Sequence, residues 1–298
     1  MGNSISVIIP TKDRVGSLRR CIVSLLQQTR LPDEIIVIDD GGNKSAADIL
    51  STFRNDRIHV YQPEFALGKS GARNEGIRHA QGEILAFIDD DCTAETSWLA
   101  ELTRPFLELS IDFVIGQTFY VSREYCAHYP ERIVSNVGAK YPMTGNIAFR
   151  RGVFDRCGFF DATFDDVGKE DAEFGIRAVS KGCLYKRAPG AVVLHEKSMW
   201  TVRGLLSSIR NSSVWPRMKV LYPNHFRAFD PPIIGIFVQP AEYLELLFFP
   251  FLVIPLLLLY VKRGNRNLFL FFAKWPIFFI CKRLSIWYNA IRYKTLIL

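Results

Sequence analysis

Apolar positions over the first two hundred residues come in short runs separated by polar loops. Ser6–Ile9 is a β-branched run that stops at Pro10, which predicts a buried strand followed by a loop. Val15, Leu18, Ile22, Leu25 and Leu26 then recur at helical spacing. Glu34–Ile38 predicts a second strand, closed by Asp39-Asp40-Gly41-Gly42, with a short helix over residues 45–53 after it. Ile58–Tyr61 predicts a third strand and Gly71–Ala80 a helix. Ile84–Ile88 predicts a fourth strand, which runs straight into Asp89-Asp90-Asp91. Strands alternating with helices at this spacing predict an α/β fold, a mainly parallel sheet with helices on both faces. Farther on, Phe113–Tyr120 and Asn146–Phe149 read as strands and Asp171–Lys181 as a helix. Ala191–Leu194 reads as a last short strand, closed by His195-Glu196.

In sheets of this kind ligands bind outside the carboxyl ends of the strands. The residues there are Pro10-Thr11-Lys12-Asp13, Asp39-Asp40 and Asp89-Asp90-Asp91, so the pattern alone lines one rim with polar groups. An Asp-x-Asp at a strand end presents hard oxygen ligands, suited to Mg²⁺ or Mn²⁺ holding a diphosphate. A solvated Asp-rich turn is the plainer alternative, and the five apolar residues before Asp89 weaken it. Gly68-Lys69-Ser70 invites a P-loop reading, but Pro63 stands where that motif needs its first Gly. No Gly-x-Gly-x-x-Gly follows the first strand, which argues against a dehydrogenase. Glu170-Asp171 at a helix start has an ordinary explanation, because acidic groups oppose the macrodipole there. His195 alone says little, since single histidines usually serve structure.

Charge changes the picture at the C-terminus. The chain has 298 residues and a net charge of +7. From Tyr243 on there are 8 Lys/Arg and only Glu245 as an acid, which leaves 29 basic and 29 acidic groups before it. The body is neutral and the excess sits in an apolar tail, which points to a membrane surface and away from nucleic acid. Leu246–Val261 is sixteen uncharged residues interrupted by Pro250 and Pro255. As a helix it would reach about 24 Å, short of a hydrocarbon core of about 30 Å. Leu268–Cys281 is a second apolar run, and Trp275, Trp287, Tyr288 and Tyr293 stand among Lys and Arg like an interfacial belt. A re-entrant hairpin, interfacial helices, two full spans and a buried helical hairpin are the alternatives. The division this predicts is an α/β domain over 1–225 and a membrane-associating region over 226–298. Six scattered cysteines without a Cys-x-x-Cys pair suggest reduced thiols in a cytosolic body. Met1–Ser6 fits a loose myristoylation pattern, although it is also the natural lead-in to the first strand.

Six blocks resemble family 2 glycosyltransferases, in order and at matching spacings over about residues 4–200. Ser6–Arg14 resembles "SVIIPTYNR", Glu34–Gly41 "EIIVVDDGS", and Gly71–Gly76 "GxARNxG". Gly82–Asp91 resembles the metal motif "GEYIAFLDDD", Thr144–Arg151 "GGNMAFRR", and Gly168–Glu173 the acidic motif "GEDxEL". Each block alone is weak, and the ordered set is specific.

The resemblance implies a Rossmann-like GT-A fold, a nucleotide-diphospho-sugar donor with UDP the commonest case, a divalent Mg²⁺ or Mn²⁺, and inversion at the anomeric carbon. By motif position, Pro10, Thr11 and Asp13 would line the base pocket, Asp40 would bond the base, and Asp90 would lie near the ribose. Asp89 and Asp91 would serve the metal, with Asp91 the direct ligand and His195 near metal and diphosphate. Asp171 would be the general base, supported by Glu170. The acceptor would be lipid-linked or a surface glycan, and the enzyme would work at the cytoplasmic face of a membrane. Lys12-Asp13 stands where many relatives have Tyr-Asn or His-Asn, which puts base and ribose contacts in question. No Gln-x-x-Arg-Trp motif is present, so transfer of one sugar per binding event is expected. The alternatives are a non-catalytic nucleotide-sugar-binding or scaffold protein on this fold, and a sugar-nucleotide nucleotidyltransferase. The Gly-rich loop with Arg that the latter needs after the first strand is missing.

Overall fold

The computed structural model describes residues 3–42, 45–121, 144–196, 202–225 and 278–295, together with 254, 257, 258, 261 and 262. The chain divides into two compact units. The first holds 1–121, 134–165 and 170–196; the second holds 122–133, 166–169 and 197–298.

The first unit is built on eight strands: β1 (Ile5–Thr11), β2 (Glu34–Asp39), β3 (Ile58–Tyr61), β4 (Ile84–Ile88), β5 (Cys92–Ala94), β6 (Phe113–Val121), β7 (Asn146–Arg150) and β8 (Tyr185–Glu196). They form one sheet in the order β3-β2-β1-β4-β7-β6-β8-β5. The β3-β2-β1-β4 half is parallel throughout. β7 runs antiparallel to β4 and β6, β8 parallel to β6, and β5 antiparallel to β8. Among the described residues six α-helices complete the unit: α1 (Val15–Leu26), α2 (Ala46–Leu50), α3 (Gly68–His79), α4 (Trp98–Thr103), α5 (Gly152–Cys157) and α6 (Glu170–Ser180).

Both sheet faces are covered, because successive strand residues point opposite ways. Val7 and Ile9 pack with Leu18, Ile22 and Leu25 of α1 and Trp98, Leu99 and Leu102 of α4. Ile8 points to the other side, with Ala72 and Ile77 of α3, Phe154 of α5 and Phe174 of α6. Burial on both faces explains the apolar runs Val7–Ile9 of β1, Ile35–Ile38 of β2 and Ile84–Ile88 of β4.

The predicted α/β fold is the observed one, with differences in extent. α3 starts at Gly68, three residues before Gly71, because two carboxylates cap it there (below). The last strand spans Tyr185–Glu196 instead of Ala191–Leu194. Its first half pairs with Phe113–Gly116 and its second with Gln117–Val121 across an irregularity. β5, α4 and α5 are too short to produce a periodic signal and are not foreseen.

In the second unit α7 (Val202–Ser212) and α8 (Val214–Leu221) are followed by α9 (Phe278–Arg292), which packs against both. No helix among the described residues is long and apolar enough to cross a membrane. The apolar runs 246–261 and 268–281 lie mostly outside the described residues, as do the membrane alternatives that rest on them.

Candidate active site

The ends of β1, β2 and β4 bring their polar residues together as the sheet order requires. Thr11 stands opposite Asp39 in register, and its carbonyl accepts the Asp40 N–H at 2.9 Å. Thr11 Oγ1 donates to Asp90 Oδ2 at 2.7 Å, joining the β1 end to the β4 end. Asp13 holds φ at 58°, a left-handed backbone that costs a non-glycine residue free energy. A Cβ on Gly42 would come within 2.3 Å of the Asp13 carboxylate, so glycine is what lets the two loops meet. Pro10, Thr11, Asp13, Asp40 and Asp90 are thus gathered along one part of the rim.

Asp40 has a further task. Its carboxylate accepts the backbone N–H of Leu67 and that of Gly68, at 3.1 Å for the latter. Asp165 accepts the Ser70 N–H at 3.1 Å and the Ser70 hydroxyl. Two carboxylates therefore take up the Leu67, Gly68 and Ser70 amides at the start of α3, where the helix dipole favours negative charge. A phosphate has no place at Gly68-Lys69-Ser70, which is the physical reason that the P-loop reading does not hold. Asp165 is a residue the sequence gives no reason to select.

The three aspartates after β4 face different partners. Asp89 Oδ1 is 3.3 Å from Arg73 Nη2, and Arg73 Nη1 donates to Glu170 Oε1 at 2.8 Å. Arg73 and Glu170 are both buried. Burial works against the Arg73 charge, but Asp89, Glu170 and Asp171 outweigh it and raise its pKa. A Cβ on Gly145 would sit 2.8 Å from Asp89 Oδ2, so that glycine keeps the carboxylate's place open. On the other side, Arg14 Nη1 donates to Asp90 Oδ1 at 3.1 Å and to Asp91 Oδ2 at 2.6 Å. Burial pushes the pKa of both Asp90 and Asp91 above the usual carboxylate value, against the opposing pull of Arg14 and, at Asp91, of the protonated form of His195.

His195 arrives through sheet pairing. Cys92 of β5 stands opposite His195 of β8, and the Glu196 N–H donates to the Asp91 carbonyl at 3.0 Å. His195 Nδ1 donates to the Glu196 carbonyl at 2.8 Å, which in a neutral ring assigns the proton to Nδ1 and leaves a lone pair on Nε2. That nitrogen lies 3.3 Å from Asp91 Oδ1, a buried oxygen that accepts no hydrogen bond from the described residues. A lone-pair nitrogen facing such a carboxylate oxygen fits a divalent cation, with the second ring nitrogen fixed by a carbonyl. Cys92 Sγ is within 4.8 Å of both. Burial raises its thiol well above the ordinary pKa, so it is a poor partner for a hard cation. Of the three predicted metal residues, the structure brings Asp91 and His195 together and turns Asp89 toward Arg73.

Glu170 and Asp171 open α6, the Asp171 Oδ1 accepting the Ala172 N–H at 2.7 Å. Asn74 fixes the approach to that helix: its side chain donates to the Phe160 carbonyl and accepts the Phe160 N–H, both at 2.9 Å. Arg14, Arg73 and Asn74 are unassigned by the sequence, although all three lie inside blocks that carry the family resemblance.

Residues 6–164 match the family model Glycosyl transferase family 2. Chondroitin synthase and hyaluronan synthase of Pasteurella multocida are 24% and 26% identical, each over 65% of this chain. The chain spans only about a quarter of their length, 25% and 24%. UDP-Glc:alpha-D-GlcNAc-diphosphoundecaprenol beta-1,3-glucosyltransferase WfaP of Escherichia coli is 28% identical over 60% of this chain and 71% of its own. Among solved structures, TarS of S. aureus superposes with a TM-score of 0.58 at 20% identity, over 74% of this chain and 40% of its own. GalNAc-T7, solved with UDP, GalNAc and Mn²⁺, has a TM-score of 0.55 at 20% identity, over 65% of this chain and 43% of its own. The neighbours share the GT-A fold, the family model covers more than half of the residues, and the chain belongs to glycosyl transferase family 2.

Proposed function

We propose that the chain moves a sugar from a nucleotide-diphospho-sugar, a UDP-sugar foremost, to a hydroxyl of a lipid-linked or glycan acceptor. Transfer inverts the anomeric carbon and delivers one sugar per binding event. The carrying observation is the pairing of His195 Nε2 with Asp91 Oδ1, an oxygen that accepts no hydrogen bond from the described residues, at the strand end where this fold binds ligands. The name of WfaP, a UDP-Glc-dependent relative, supports the donor class.

In this reading Asp91 and His195 hold Mg²⁺ or Mn²⁺, which would neutralise charge on the departing diphosphate. Asp89 keeps Arg73 in place beside that pair. Pro10, Thr11, Asp13 and Asp40 receive the base, and Asp90 lies toward the ribose. Asp171 takes the proton of the acceptor hydroxyl. The acceptor oxygen then bonds the anomeric carbon as the bond to diphosphate breaks, and that electron pair leaves with the diphosphate. Glu170 is buried against Arg73, which leaves Asp171 as the base and Glu170 as its support. The basic, apolar tail supports a position at the cytoplasmic face of a membrane, where a lipid-linked acceptor would be met.

The test incubates the purified chain with Mn²⁺ and a panel of nucleotide sugars and follows donor hydrolysis. Turnover should require the cation, and Asp171→Asn should cut it by at least about 10² with donor affinity unchanged. Full turnover in excess chelator would sink the metal assignment, and loss of donor binding in Asp171→Asn would make that residue structural.

A further inference from the structure

α9 is packed inside out. Its Ile286 and Ala290 are buried, and so are Lys282 and Arg283. Ile280, Leu284, Trp287, Tyr288 and Ile291 are exposed, Ile291 by 79% and Tyr288 by 68%. At the α-helical period these five fall in one stripe about 100° wide. α9 packs against α7 and α8, and the apolar stripe lies on the side of the helix opposite its buried residues. Ile254, Leu258 and Val261, at helical spacing in the preceding apolar run, are also exposed. An exposed row of large apolar side chains marks an interaction surface.

We propose that α9 lies in the plane of an anionic bilayer surface, with this stripe at the boundary between headgroups and acyl chains. Charge and composition select lipid as the occupant. Beyond Tyr243 the chain has 8 basic residues and one acidic residue, and Arg292 and Lys294 at the end of the helix are exposed. Anionic lipid attracts such a segment. Trp287 and Tyr288 carry the amphipathic rings that settle at headgroup level. The helix has 15 residues, which reach only about 22 Å, and Lys282 and Arg283 stand in it, so it lies on the membrane instead of crossing it. This inference rests on the membrane association proposed above and commits it to one helix, one face and one orientation.

The experiment mixes the full chain with vesicles of phosphatidylcholine alone, or mixed equally with phosphatidylglycerol. Binding is read by co-sedimentation, and depth by tryptophan quenching with lipids brominated near the headgroup or near the chain end. The expected result is binding to the anionic vesicles and stronger quenching by the shallow bromines, the quenched component disappearing in Trp287→Phe. Leu284→Gln combined with Ile291→Gln should weaken vesicle binding at least about tenfold, with donor binding and unfolding midpoint unchanged. Deeper bromines quenching Trp287 more strongly would overturn the in-plane orientation. Unaltered vesicle binding by the double variant would remove α9 from the interface while leaving membrane association itself standing. A dimer in solution that dissociates in the double variant, with no vesicle binding, would make the stripe a contact between copies and overturn the proposal. None of these readouts uses sugar transfer, so failure of the proposed reaction is separable from failure of the lipid surface.

Discussion

Two arginines hold the acidic rim from opposite flanks. Arg73, buried in α3, joins Asp89 after β4 to Glu170 of α6. Arg14, in the loop after β1, joins Asp90 and Asp91. The geometry is similar, since each guanidinium spans two carboxylates. The surroundings differ: the Arg73 side chain is 6% exposed and the Arg14 side chain 56%. A buried pair is hard to replace, because removing one partner strands the other charge out of water. A half-exposed pair is screened, and water can substitute for it. The inner flank therefore acts as a fixed brace between the end of β4 and the start of α6. The outer flank is an exchangeable counter-charge on Asp90 and on Asp91, the second of which would take the proposed cation.

Arg73→Met puts this contrast between the flanks to its severest test. It leaves Glu170 buried without its cation, and stability should fall by about 3–5 kcal/mol, read as a lowered urea midpoint at unchanged m-value. A loss below about 1 kcal/mol would show that the inner pair is as replaceable as the outer one. Arg73→Lys keeps the charge without the fork and should fall between the two.

Cation binding at Asp91 should give the next largest effect. Asp91→Asn should weaken Mn²⁺ binding roughly tenfold or more, measured by spin resonance of free Mn²⁺ without donor. Because burial raises the pKa of Asp90 and Asp91, protons compete above the ordinary carboxylate range, and wild-type affinity should decline as pH falls through the raised values. Without cation, stability moves the opposite way. The fold holds these two protons more tightly than the unfolded chain does. Their contribution is complete below the unfolded pKa, 3.8 in the reference state, and is lost as pH rises through the folded one. Urea unfolding of wild type and Asp91→Asn should converge on the acid side and separate above it, with the variant favoured.

Arg14→Gln should have the smallest effect, a stability change within about 1 kcal/mol that shrinks further in high salt. It should also tighten Mn²⁺ binding, since Asp91 Oδ2 loses a competing partner. A large, salt-independent loss would place Arg14 with Arg73.

Much of this site is legible in the amino-acid sequence. β1, β2 and β4 announce themselves because burial on both faces demands consecutive apolar residues, and their ends must lie side by side once the strands are parallel. Asp40, Asp90, Asp91 and Asp171 follow from those ends and from the motif blocks. The helix start at Gly68 is not legible, because its caps come from Asp40 and Asp165, 27 and 95 positions from their partners. The partners of Arg73 are hidden for the same reason. Glu170 lies 97 positions away, and nothing local distinguishes this arginine from a solvated one.

His195 shows the division most sharply. The sequence offers a histidine at a strand end, which is weak evidence of function. β5 is three residues long and has no periodicity to read, yet its pairing with β8 places His195 Nε2 opposite Asp91 Oδ1. α9 divides in the same way: composition marks its segment as apolar and basic, while packing against α7 and α8 determines which face is left outside. Hydrophobic periodicity writes into the chain the main strands and helices, the order of the strand ends and the carboxylates that stand on them. Which charges neutralise one another, and which carboxylate oxygen accepts no hydrogen bond among the described residues, follows from packing in three dimensions. Periodicity is a property of neighbours in the chain, whereas charge pairing and burial depend on neighbours in space.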